Sequence, residues 1–198
     1  MGSEILICGF DEAGRGPLAG PVTAGAVILP KDFPVEILND SKKLSPKKRA
    51  LAEKMIKETA CWGLGIVSHE KIDEINILQA SLLAMQLAYT DLEKKIPAFL
   101  QKQGILQAEI SIEAITDGNF CPTVPIPCKA EPKADAKYPA VMAASIIAKE
   151  ERDRIMVQYD ALYPAYGYKK HKGYPTPAHL KICREIGPSP IQRRTFSF

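Results

Sequence analysis

The chain has 198 residues, 46% of them hydrophobic and 25% charged, with a formal net charge of +3, an ordinary composition for one globular domain. No stretch reaches the roughly 20 apolar residues of a membrane helix. The apolar run near the N-terminus is far too short for a signal peptide, so membrane-spanning and secreted classes are excluded and the cytoplasm is the expected location. The charge is uneven: residues 42–57 and 169–198 each hold seven Lys/Arg against one acid, +6 apiece, which leaves −9 on the remainder.

In chain order, Ile5–Phe10 and Val22–Leu29 read as short β-branched strands, joined by a turn containing Gly14, Gly16, Pro17, Gly20 and Pro21. Ser45-Pro46 opens a helix to about Thr59, with serine as N-cap, proline in the first turn and Leu51, Met55 and Ile56 on one face. Cys61–Ser68 is a third strand, and three strands in succession favour antiparallel pairing. Asn76–Lys95 carries the strongest helical pattern, with Ile77, Leu82, Met85, Leu87 and Leu92 apolar and Pro97 after it. Ile110–Thr116 is a fourth strand, and Pro122–Lys129, with Val124 and Ile126, is a candidate short edge strand. From about Tyr138 to Leu162 the pattern is helical and rich in small residues (Ala140, Ala143, Ala144, Ser145, Ala148), which lets a helix lie close against a sheet. A last helix, about Pro177–Ile186, precedes a basic tail. The class is α/β with a mixed sheet, in one domain over 1–198.

The five cysteines form no CxxC pair, and the three histidines show no zinc spacing with them. Reduced thiols are expected, with Cys8 in the core. Carboxylates carry more information. Asp11-Glu12 closes the first strand and runs into Gly14-Arg15-Gly16; on a regular strand the two would face opposite ways, so sharing one site requires a distortion that Gly14 permits. The alternative is an exposed acidic turn. Asp117 ends another β run before Gly118, in the same grammar. Asp135 precedes the small-residue helix as either a site residue or an N-terminal cap. Together these four offer only oxygen ligands, which suits Mg²⁺ or Mn²⁺ over zinc.

The turn Gly14-Arg15-Gly16 brings backbone and a guanidinium toward a ligand, although it is no Walker loop. Lys42 and Lys43 stand ahead of a helix start, placed for backbone phosphates or as an exposed basic cap. Tyr174 stands among cations in His171-Lys172-Gly173-Tyr174-Pro175-Thr176, a pairing that stacks on sugars and bases or simply packs. The two basic segments beside an acidic remainder fit a polyanion-binding face next to an acidic pocket, or solvated faces with no partner.

Asp11-Glu12-Ala13-Gly14-Arg15-Gly16-Pro17, Asn39-Asp40-Ser41-Lys42-Lys43-Leu44, Asp117-Gly118-Asn119, Ala143-Ala144-Ser145-Ile146-Ile147-Ala148-Lys149 and His171-Lys172-Gly173-Tyr174-Pro175-Thr176 together resemble the ribonuclease HII family in its bacterial form. The resemblance runs in order from about Ile5 to the C-terminus. It implies a ribonuclease H-like fold, a five-stranded mixed sheet flanked by helices, with a C-terminal helical, substrate-binding portion at about 165–198. It also implies metal-dependent endonucleolytic cutting of RNA in RNA–DNA hybrids and at single ribonucleotides embedded in duplex DNA. Position by position, the family's catalytic and metal-binding acids fall on Asp11, Glu12, Asp117 and Asp135. Its substrate-binding elements fall on Gly14, Arg15, Gly16, Lys42, Lys43 and Tyr174. Ala134 departs from an expected glycine, and Glu150-Glu151 from a less acidic pair.

The expected mechanism is two-metal hydrolysis with Mg²⁺ or Mn²⁺ ions about 3.5–4 Å apart, Asp11 bridging. The cut falls 5′ of a ribonucleotide and leaves 5′-phosphate and 3′-hydroxyl ends. The 2′-hydroxyl is read by the backbone of residues 14–16, with the Tyr174 ring on the neighbouring deoxyribose. The expected partner is nucleic acid, RNA–DNA hybrid or ribonucleotide-containing duplex DNA, bound by a monomer with no membrane contact. The alternatives are another two-metal nuclease on this fold, a non-catalytic hybrid-binding module, or a small-molecule phosphate enzyme, which would not need two separated basic segments.

Overall fold

The computed structural model describes residues 4–106 and 110–197. Strands β1 (Glu4–Ala13) and β2 (Val22–Ile28), then helix α1 (Pro46–Thr59) and strand β3 (Cys61–Val67), are followed by three helices: α2 (His69–Ile75), α3 (Ile77–Glu93) and α4 (Ile96–Gln103). After them come β4 (Ile110–Asp117), β5 (Cys128–Glu131) and the helices α5 (Pro139–Leu162), α6 (Tyr168–His171) and α7 (Pro177–Ile186). The sheet order is β3-β2-β1-β4-β5, antiparallel from β3 to β1 and parallel from β1 to β5. This is the five-stranded mixed sheet that the resemblance implies. Parallel pairing of β1 with β4 needs a crossover, and the intervening helices supply it.

The sheet lies between two helical layers, and glycines set how close they come. On one face, a Cβ at Gly63 or Gly65 of β3 would stand 2.0 Å from the Ala88 carbonyl oxygen or 1.9 Å from that of Ala84, both in α3. On the other face, a Cβ at Gly9 would stand 2.2 Å from the Ala140 carbonyl carbon, and one at Gly25 would stand 2.4 Å from the Ala144 oxygen, both in α5. The small-residue stretch of α5 therefore packs its backbone directly onto β1 and β2. Ala143, Ala144, Ile146 and Ile147 of α5 share a core with Ala52 and Ile56 of α1. Arg154 of α5 ties the two helices together, donating to both carboxylate oxygens of Glu53 at 2.6 and 3.0 Å.

Helix boundaries follow local chemistry. The Ser45 hydroxyl caps α1 with Pro46 in its first turn, Thr176 does the same for α7 with Pro177, and the Asn76 side chain accepts from the Gln79 amide at 3.1 Å to open α3. Two expectations need correction, and two helices, α2 and α4, lie outside them. The fifth strand is Cys128–Glu131, and 122–127 carries no strand: Pro122, Pro125 and Pro127 lack the amide donors a ladder requires. Pro97 does follow α3, as expected, and sits in the first turn of a further helix, α4, a position proline favours. The short α2, capped by Ser68, turns only Ile72 and Ile75 to the core, too few for periodicity to find. Leu51 and Leu87 are exposed rather than on the core faces of α1 and α3. Cys8 is fully buried, and all five thiols are free. Among the described residues no helix is long and apolar enough to cross a membrane.

Candidate active site

Because β1 and β4 are parallel neighbours, their carboxyl-terminal ends carry Asp11 and Asp117 to the same edge of the sheet. Asp135 arrives from a 3-10 turn, Ala134–Ala136, between β5 and α5. One carboxylate oxygen from each of Asp11, Asp117 and Asp135 lies within 4.8 Å of the others. The Ala134 amide fixes the turn by donating to Asp117 Oδ1 at 2.8 Å. The left-handed residue there is Lys133 (φ 61°), so alanine at 134 costs the backbone nothing. The cap reading of Asp135 fails, since α5 starts at Pro139 without a side-chain cap.

Glu12 occupies a different position. The β1–β2 register continues unbroken through Asp11↔Gly25, Glu12↔Ala24 and Ala13↔Thr23, so the expected distortion at Asp11-Glu12 is absent and the two side chains alternate. Glu12 lies outside the group of three and pairs with Arg15 at 3.4 Å.

Burial pushes the Asp11 carboxyl well above its ordinary value, and the neighbouring charges of Glu12 and Asp117 push it further; a hydrogen bond from Ser145 partly opposes them. Burial also raises Glu12, against the pull of Arg15, and raises Asp135, where Asp117 and Asp40 add to it and Lys42 and Lys43 oppose it. In this crowded set of acids, with Asp11 buried and the others half-buried and no His or Cys among them, Arg15, Lys42 and Lys43 compensate the charge only in part. The chemistry of the set fits a hard divalent cation.

Beside these acids opens a cleft of about 680 Å³, lined by Gly14, Arg15, Gly16, Lys42 and Tyr174 together with Ser41, Arg49 and Lys149. Glu12 and Ser145 line it as well, and Ser145 joins it to Asp11. Lys43 does not line the cleft; it sits in the turn that its amide closes onto the Asp40 carbonyl at 2.9 Å. The exposed Tyr174 ring lies beside Gly16, where a Cβ would stand 3.8 Å from Cε1.

Several residues here escaped the sequence reading. The Ser41 and Ser145 hydroxyls share a buried 2.8 Å hydrogen bond; a neutral hydroxyl inside a recognisable motif carries no pattern of its own. Arg49, which pairs with Glu150, braces the Lys42 turn by donating to the Ser41 and Leu44 carbonyls at 3.1 and 3.2 Å. His171 and His179 stack at 4.3 Å and hold the backbone that carries Tyr174: the Gly173 amide donates to His171 Nδ1 at 3.2 Å, and His179 Nδ1 bonds the Tyr174 carbonyl at 3.0 Å. The basic C-terminal segment is less uniform than its charge count, because Arg193 is fully buried and unavailable to phosphate.

A family model described as Ribonuclease HII matches residues 8–197. A Treponema denticola protein named Ribonuclease HII is 51% identical, covering 96% of this chain and 98% of its own length. A Dechloromonas aromatica protein of the same name is 48% identical, covering 96% and 90%. Among solved structures, the ribonuclease H2 of Pyrococcus horikoshii OT3 superposes with a TM-score of 0.66 at 27% identity, covering 96% of this chain and 93% of that one. With a match over nearly the whole chain and relatives about half identical along it, the chain belongs to the ribonuclease HII family.

Proposed function

We propose that this ribonuclease H hydrolyses the RNA strand of RNA–DNA hybrids and cuts duplex DNA on the 5′ side of a single embedded ribonucleotide, leaving 5′-phosphate and 3′-hydroxyl ends. The observation that carries the reading is the convergence of Asp11, Asp117 and Asp135 within 4.8 Å, beside a cleft lined by residues 14–16, Lys42 and Tyr174. Asp11, Asp117 and Asp135 hold divalent cations, with Glu12 completing the set. Two Mg²⁺ or Mn²⁺ ions bound there supply an activated water and neutralise charge at the leaving 3′-oxygen. Ser145 orients Asp11. The amides of residues 14–16 meet the ribonucleotide, where the 2′-hydroxyl is the group that separates RNA from DNA. The Tyr174 ring packs on the adjoining deoxyribose, and a hydroxyl at that position is poorly accommodated.

Lys42 and Lys43 hold backbone phosphates without reading sequence. The portion from about 165 to 198 belongs to the same domain and supports the substrate, and the enzyme works as a monomer. Five free cysteines suit the cytoplasm.

The test is incubation of a duplex with one ribonucleotide beside an all-DNA duplex, with Mg²⁺, with Mn²⁺ and with chelator. Only the first duplex is nicked, and only with metal. Nicking of both points to another nuclease on this fold, and binding without nicking points to a hybrid-binding module. The phosphate contacts have their own readout: between 50 and 200 mM salt, hybrid affinity falls about 10²-fold for about four neutralised phosphates. An affinity that stays flat over this range refutes the basic face.

A further inference from the structure

Arg193 lies in the tail beyond α7, fully buried, and forms no ion pair among the described residues. Its neighbours are carbonyl oxygens. Nε donates to Gly20 at 2.9 Å, Nη1 to Arg15 at 3.0 Å and Pro17 at 2.8 Å, and Nη2 to Gly14 at 2.6 Å and Pro21 at 3.1 Å. A guanidinium has five N–H donors in a rigid fork, and here each meets a carbonyl of one loop, residues 14–21.

The tail that carries Arg193 is itself fastened at both ends. The Arg193 amide donates to the Leu18 carbonyl at 2.8 Å, and the Gly20 amide to the Ile191 carbonyl at 2.9 Å. Further on, Asp73 of α2 accepts from the Arg194 amide at 2.8 Å and from the Thr195 amide and hydroxyl at 3.0 and 2.6 Å. Arg152 of α5, also buried, closes the other side by donating to Pro21, Ala19 and Lys172 carbonyls at 2.9, 3.1 and 2.9 Å. Gly14 (φ +104°) is required there, since a Cβ would stand 2.1 Å from Arg152 Nε.

The consequence lies on the opposite side of the loop. In a planar trans peptide the carbonyl of one residue and the amide of the next point in opposite directions. With the Gly14 and Arg15 carbonyls drawn onto the guanidinium, the Arg15 and Gly16 amides face away from it, on the part of the loop that lines the cleft. Neither amide donates to an acceptor among the described residues. We infer that Arg193 is a positioning residue for substrate recognition: it gathers the loop carbonyls inward and so presents the Arg15 and Gly16 amides as a pair of donors to the substrate strand. The inference rests on the proposed role of residues 14–16.

Lysine at 193 keeps the charge but offers only three donors from a single point. The test compares wild type, Arg193→Lys and the remote core variant Ile56→Val, each well below its melting temperature. For Arg193→Lys, kcat/KM on the duplex with one ribonucleotide falls about 10²-fold, the scale of a misplaced recognition group. Affinity for an all-DNA duplex of the same length stays within about twofold of wild type. Trypsin cleavage after Arg15 accelerates roughly tenfold, as loss of about one net hydrogen bond implies. Wild-type kcat/KM in Arg193→Lys, a loss no larger than its unfolded fraction explains, or an equal loss of all-DNA affinity overturns the inference. If wild type fails to nick the ribonucleotide duplex, the functional reading fails instead, and the trypsin comparison alone then decides whether Arg193 orders the loop.

Discussion

Asp11→Asn lowers cleavage by at least about 10³-fold, the scale of losing a group at a reacting centre, while hybrid affinity changes only a few-fold. The substitution is nearly isosteric and keeps an oxygen for the Glu12 amide, which donates to Asp11 Oδ1 at 2.7 Å, so the fold has no reason to rearrange. What it removes is a buried negative charge that its surroundings oppose through burial, then through Glu12 and Asp117. Without divalent cations the variant therefore melts no lower than wild type. With cation at about 100 times its dissociation constant, wild type gains about 2.7 kcal/mol, which for a chain of this size is roughly 5–10 °C in Tm. Asp11→Asn gains less than half of that. Cleavage assays and thermal melts with and without Mg²⁺ measure both effects, and full activity in the variant rejects the carboxylate assignment.

The second large effect concerns the glycines that seat the helices. Gly25→Ala and Gly65→Ala each put a methyl group against rigid backbone, 2.4 Å from the Ala144 oxygen and 1.9 Å from the Ala84 oxygen. Each costs about 3 kcal/mol, the upper part of the overpacking range, or roughly 6–12 °C in Tm. Their effects on chemistry differ. Gly25 stands opposite Asp11 in the β1–β2 register, and Ala144 adjoins Ser145, so displacing α5 there moves the hydroxyl that bonds Asp11. Activity per folded molecule falls about 10²-fold in Gly25→Ala. Gly65 faces α3, on the side of the sheet opposite Asp11 and Gly25, and Gly65→Ala keeps kcat within about twofold. Melting curves paired with kcat below the transition separate the two, and equal kcat losses contradict the packing account.

Those glycines also mark what could be read in the sequence. The helices with both a cap and an apolar stripe, α1 behind Ser45-Pro46 and α7 behind Thr176-Pro177, begin where local chemistry says they should. The small residues of α5 announced a close approach, although only the structure shows that Gly9 and Gly25 receive it. Elements without local signals were missed or displaced. The sequence Cys128–Glu131 becomes a strand because β4 pairs with it, while Val124 and Ile126 alternate like a strand between prolines that cannot pair.

The candidate site was legible where carboxylates end strands, since parallel neighbours bring such ends together. It was less legible at Glu12, where an unbroken register keeps the pair on alternating sides. Arg193 shows the limit of charge counting. It contributes to a +6 segment that reads as phosphate-binding, yet its charge is spent on five loop carbonyls within the protein. Burial of a cation depends on what surrounds it in space, which a count along the chain does not contain.

The most direct measurement of the central claim is the position and chemistry of the nick. A duplex labelled on each strand and carrying one ribonucleotide is cut with Mg²⁺ and with Mn²⁺, and the product ends are resolved to the nucleotide. The account predicts a single cut 5′ of the ribonucleotide, a 3′-hydroxyl upstream and a 5′-phosphate on the ribonucleotide, all lost with chelator. Cleavage 3′ of the ribonucleotide, a 2′,3′-cyclic phosphate end or cutting that persists with chelator contradicts it.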